Sequence, residues 1–116
     1  MELYLDTSTF TAHIRLTDEK TGESFEYQDD LGREMAEKLL TILKNHLEEH
    51  GRTFHGLTKI TFMSGPGSFT GLRIGACIVN TLAHELNVPL FDHHGNQHEI
   101  IIPDYGRPAN ISQPKK

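Results

Sequence analysis

Gly65-Pro66-Gly67-Ser68-Phe69-Thr70-Gly71-Leu72-Arg73-Ile74-Gly75 is the stretch on which the reading of this 116-residue chain turns. It follows an apolar run, Ile60–Met63, and leads into a helical pattern, so it is a strand-to-helix turn. Four glycines in eleven positions point to torsions or close approaches that a side chain would forbid. Neither common phosphate-binding pattern fits. A P-loop ends in Lys-Ser/Thr, but Gly71 is followed by Leu72 and Arg73, and a dinucleotide fingerprint needs glycine where Thr70 stands. Two readings stay open: an anion site on the free N–H groups of the helix start, or a tight turn with a Ser/Thr cap.

Working outward, Leu3-Tyr4-Leu5 predicts a first strand and the alternation of Phe10–Thr17 a second. Ser24–Gln28, beyond the turn Asp18–Gly22, predicts a third, making an antiparallel meander. Asp29 or Asp30 is then the expected cap of a helix from about Leu31 to His50, closed by Gly51. Its apolar arc (Leu31, Met35, Ala36, Leu39, Leu40, Ile42, Leu43, Leu47) is wider than one sheet requires. Leu57–Met63 predicts a central fourth strand, Thr70–Leu86 a second helix stopped by Asn87, and Pro89–Phe91 a fifth strand. The second helix also has a broad apolar arc, with Gly71 and Gly75 stacked on one face. The order β-β-β-α-β-α-β predicts an α/β fold: a ribonuclease-H-like (actin/Hsp70/sugar-kinase-like) half-domain with a five-stranded mixed sheet and two main helices. Residues 1–92 form the expected lobe. Residues 93–116 read as a polar turn, His93–His98, a possible short strand at Glu99–Ile102 and an extended tail.

The formal charge is −5 with scattered Lys and Arg, which argues against unaided binding to nucleic acid or an acidic membrane surface. The single cysteine, Cys77, falls in an apolar helical pattern and reads as a small buried core residue in a reducing compartment. No leader precedes Leu3 and no run approaches membrane-spanning length, so a soluble cytoplasmic domain is expected.

The run Gly65–Gly75 resembles the signature of the TsaB (YeaZ) family, and Leu3–Ser8 and Leu39-Leu40-x-x-Leu43 are similar to that family's first strand and first helix. The motif residues are Gly65, Pro66, Gly67, Ser68, Phe69, Thr70, Gly71, Arg73 and Gly75, and the likeness covers about Leu3 to Phe91. The resemblance implies a non-catalytic subunit without a cofactor. Its partner would be a related TsaD-like enzyme that threonylcarbamoylates the adenosine beside the anticodon in ANN-decoding tRNAs, with a TsaE-like ATPase as a further component. Pairing with TsaD, or with a second copy, would run through the two helices, and tRNA would be met only through the complex. Leu39, Leu40, Leu43 and Leu47 of the first helix and Leu72, Gly75, Ala76, Val79 and Ala83 of the second are the expected partner-binding residues. Family members carry a second lobe between the fifth strand and a Pro-x-Tyr-x-Arg-like segment. Here Pro103-Asp104-Tyr105-Gly106-Arg107 follows Phe91 closely, so that lobe and its nucleotide cleft are expected to be missing.

Other residues suggest chemistry of their own. Asp6, at the end of the first strand, suits either a metal-binding carboxylate of a small nuclease or phosphohydrolase, with Glu37, Glu48 or Asp92 as partners, or a turn residue bonding the N–H groups of Thr7–Thr9. His93, His94 and His98 suit a metal or an exposed polar loop, and Gly95 and Asn96 favour the loop. His46 and His50 suit the rim of a partner surface or a frayed helix end. Arg73 suits a phosphate, a carboxylate or support of the turn.

Overall fold

The computed structural model describes residues 1–106. In β1 (Glu2–Asp6) and β2 (Thr11–Thr17), Leu3, Leu5, Ala12, Ile14 and Leu16 are buried, and the residues between them are not. Successive side chains of a strand point to opposite faces, so this alternation covers one face only. β3 (Ser24–Asp30) alternates too but has no fully buried residue. β1 pairs antiparallel with β2, and β2 antiparallel with β3. β4 (Lys59–Phe62) lies parallel to β1, and β5 (Leu90–Asp92) parallel to β4.

A sixth strand, β6 (Gln97–His98), pairs antiparallel with β5, giving the order β3-β2-β1-β4-β5-β6. The expected mixed sheet is therefore present with one strand more than the five predicted. That last strand lies inside the segment read as a polar turn, not at Glu99–Ile102. The reason is Asp92, whose carboxylate accepts the N–H groups of His94 (2.9 Å) and Asn96 (3.0 Å). These bonds turn the chain back along β5 before Glu99 is reached.

Helix α1 (Met35–Glu49) starts later than predicted, after a 3₁₀ turn at Gly32–Glu34. Asp29 and Asp30 do not cap it. Both still belong to β3, opposite Ala12 and Thr11, and Gly32 at φ +52° separates strand from helix. The far end follows expectation, with Gly51 at φ +68°. Helix α2 (Phe69–Leu86) is capped by Ser68, whose Oγ accepts the Gly71 N–H at 3.2 Å, and it stops at left-handed Asn87.

Both helices cover the apolar face of the sheet. Met35, Leu39, Leu43 and Leu47 from α1 and Leu72, Ala76, Val79 and Ala83 from α2 close one core over Leu3, Leu5, Ile14, Ile60 and Phe62. On the opposite face Arg15 lies over the Tyr4 ring at 4.6 Å and Lys59 over Phe91 at 4.7 Å. Beyond β6 the chain packs back onto α2. Asn80 accepts the Ile101 N–H (2.8 Å) and donates to the Ile101 carbonyl (3.0 Å), and Ile101 is buried. Asp104 N–H reaches the Ser64 carbonyl at 2.7 Å, and the Tyr105 ring lies 4.5 Å from that of Phe69. Arg107, the last residue of the expected Pro-x-Tyr-x-Arg-like segment, lies outside the described residues.

Candidate functional site

The glycine-rich loop is built as a joint. Thr7, fully buried at the end of β1, donates its hydroxyl to the Gly71 carbonyl at 2.7 Å. A Cβ on Gly71 would press into the Thr7 carbonyl, and one on Gly75 into the Thr7 hydroxyl and the Phe62 ring. Gly67 backs onto Ser8, and the Ser8 carbonyl takes the Ser68 N–H at 2.8 Å. Gly65, joined to Pro66 by a cis peptide bond, has φ +120°, and the Asp104 carbonyl fills the place of its missing side chain. The N–H groups of Ser68 and Gly71 are thus spent inside the chain, as in a capped turn. Outside the joint, Arg73 lies over the Phe69 ring at 5.7 Å.

The residues assigned to a partner are mostly used at home. Leu39, Leu43, Leu47, Leu72, Gly75, Ala76, Val79 and Ala83 are all buried in the chain's own core, and Leu40 alone of the set is exposed, at 47 %. The correction follows from helix geometry: each is the residue that faces the sheet, and the surplus apolar width lies beside it. That surplus forms a groove of about 530 Å³ lined by Ala36, Thr70, Arg73, Ile74, Cys77 and Ile78. Cys77 is exposed in this groove rather than buried, because it lies on the opposite side of α2 from Gly75.

The polar candidates have structural partners. The Asp6 carboxylate accepts both the N–H (2.8 Å) and the hydroxyl (2.6 Å) of Ser8, a local turn. Among the described residues no three His, Cys, Asp or Glu side chains converge as metal ligands. Asp92 also accepts from His98 Nε2 at 2.8 Å, and that bond, followed by the Asn96 and His94 N–H groups, holds its carboxyl well below the usual range. His93 Nδ1 accepts the Ser64 N–H at 3.2 Å and its ring lies 4.0 Å from that of His94. His46 and His50 are held against the edge strand. Their rings stack on Tyr27 (3.6 Å) and Phe25 (3.9 Å) of β3.

Residues 29–98, more than half the chain, match the family model of TsaD, tRNA N6-adenosine threonylcarbamoyltransferase. The tRNA threonylcarbamoyladenosine biosynthesis protein TsaB of Bacillus subtilis is 34 % identical over 76 % of this chain and 38 % of its own length. The chain belongs to the TsaB (YeaZ) family. TsaB of Escherichia coli is 30 % identical over 76 % of this chain and 37 % of its own length. The solved structure of YeaZ from Pseudomonas aeruginosa superposes with a TM-score of 0.72 at 34 % identity, over 78 % of this chain and 42 % of that one. A second solved structure, described as similar to peptidase YeaZ from Pseudomonas aeruginosa, superposes equally well. The chain spans about two fifths of the length of the relatives it matches.

Within this TsaB-family fold, sequence reasoning missed Thr7 as the seat of α2 and the outward stripe of Ile74, Cys77 and Ile78. The stripe was accessible in principle: Thr70, Ile74, Cys77 and Thr81 recur at helical spacing on the side away from Gly71 and Gly75. Thr7 carried no such signal, since a lone threonine after a strand has no periodicity to betray its burial.

Proposed function

We propose that this TsaB-family chain is a non-catalytic partner subunit of a TsaD-like enzyme, acting by heterodimer formation in threonylcarbamoylation of the adenosine beside the anticodon. The observation that carries the reading is the groove between α1 and α2 in a chain of this family. Ala36, Ile74, Cys77 and Ile78 give it an apolar floor of the kind that marks an interaction surface. The buried leucines and Gly75, Ala76, Val79 and Ala83 support that face from behind. A TsaE-like ATPase joins at the level of the complex, and tRNA is met there and not by this acidic chain alone. The family motif seats α2 and takes no part in chemistry.

The test mixes the chain with the TsaD-like protein of its own organism and measures co-elution and tRNA modification. Complex formation is expected, and Ile74→Asp is expected to weaken it by about 100-fold, since a charge at the centre of a desolvated contact costs about 3 kcal/mol. An unchanged circular dichroism spectrum shows that Ile74→Asp is folded. Undiminished co-elution of the folded variant, or no complex with the unmodified chain, overturns the reading. A homodimer that excludes TsaD does the same.

A further inference from the structure

We propose that His46 is a proton-dependent clasp: an imidazolium that ties the outermost strand, β3, to helix α1. Its two ring nitrogens face two different carboxylates, Nε2 at 2.8 Å from Asp29 of β3 and Nδ1 at 2.9 Å from Glu49 of α1. Ionised carboxylates only accept hydrogen bonds, and a neutral imidazole has one donor and one acceptor. Both contacts are satisfied only when both nitrogens carry protons. The side chain is 14 % exposed and lies nearly parallel to the Tyr27 ring, 19° between planes at 3.6 Å, so it has little room to turn away.

The neighbourhood is consistent with a cation at this point. The charged and titratable groups around the ring are Asp29 and Tyr27 from β3 and Glu49 and His50 from α1. Burial first, then the carboxylates of Glu49 and Asp29, push the Tyr27 hydroxyl above its ordinary range. The Tyr27 hydroxyl in turn meets His50 Nε2 at 2.6 Å, and the His50 ring stacks on Phe25. β3 has no fully buried residue, so these rings and the Asp29 contact are its main attachment to the helix layer.

Loss of one proton from His46 points a lone pair at a carboxylate and deletes one of the two bonds. The closed clasp binds a proton that the opened one releases. The attachment is therefore strongest while both ring nitrogens carry protons and weakens when one is lost.

The experiment uses the whole chain. Side-chain ¹⁵N spectra at pH 7, where an unperturbed imidazole of pKa about 6.5 is mostly neutral, are expected to show both His46 nitrogens protonated. Amide-exchange protection of residues 24–30, corrected for intrinsic rates, is expected to fall as pH rises from about 6.5, where a released imidazole loses its proton, to about 8.5. The fall approaches tenfold per pH unit, the limit for release of one proton. In His46→Gln the protection is lower and flat across that range. A neutral-tautomer signature for His46 at pH 7, or pH-independent protection in the unmodified chain, overturns the proposal. Should His46→Gln fail to fold, the spectra of the unmodified chain decide alone.

Discussion

Helix α2 meets the centre of the sheet almost backbone to backbone, whereas α1 meets the edge strand through the rings of Phe25, Tyr27, His46 and His50. At the first contact, Gly71 and Gly75 leave room for Thr7 and Phe62, and one hydroxyl bond closes the joint. At the second, long side chains reach across a gap and hold it with stacking and hydrogen bonds. A close backbone contact fails by steric overlap, abruptly and at any pH. A side-chain contact fails by degrees and responds to protonation.

The largest expected effect comes from filling the close contact. Gly71→Val places methyl groups against the Thr7 carbonyl, which cannot move without shifting β1, and is expected to cost about 3 kcal/mol or more. Urea unfolding measures it, and an unchanged midpoint would mean that the two backbones can separate freely. Tyr27→Ala removes the stack on His46 and the bond to His50, with an expected loss of about 2 kcal/mol. A thermal melt as high as that of the unmodified chain would show that the edge strand needs no rings. Thr7→Val keeps the shape and deletes one buried hydroxyl bond, for about 1 kcal/mol. If it costs as much as Gly71→Val, the joint depends on that bond more than on space.

The smallest effect belongs to a third region, the β5–β6 turn. The Asp92 carboxyl is held below its ordinary range, so its contribution is present above the unfolded-state value and lost as pH falls through the folded one. Asp92→Asn is expected to be less stable than the unmodified chain at neutral pH, and the difference narrows in acid. A constant gap from neutral pH down into strong acid would place the effect elsewhere.

The contrast also explains what was legible in the sequence. Glycines four apart on a helix announce a close approach without knowledge of the facing strand. The five alternating or apolar runs likewise marked the first five strands and the meander of the first three. Contacts between side chains require a register. Only once Asp29 is seen paired opposite Ala12 does Tyr27 fall under His46, and Asp29 cease to be a helix cap. β6 was hidden for a related reason. It is two exposed residues long and is set by the hydrogen bonds of Asp92 instead of by any apolar pattern. Of the residues expected to meet a partner, all but Leu40 are covered by the chain's own sheet. An apolar arc tells how much of a helix avoids water, not which part its own sheet already covers.

The carboxamide of Asn80 has a consequence for how the molecule yields to proteases. It supplies both hydrogen bonds that a neighbouring strand would give Ile101, and it does so from a single side chain. Ile100 and Ile102 on either side are 67 % and 83 % exposed. Local opening of this segment breaks both bonds and uncovers Ile101, and it leaves the ladder of the sheet untouched. A brief digestion that nicks the chain at these isoleucines should leave a compact body ending near β6.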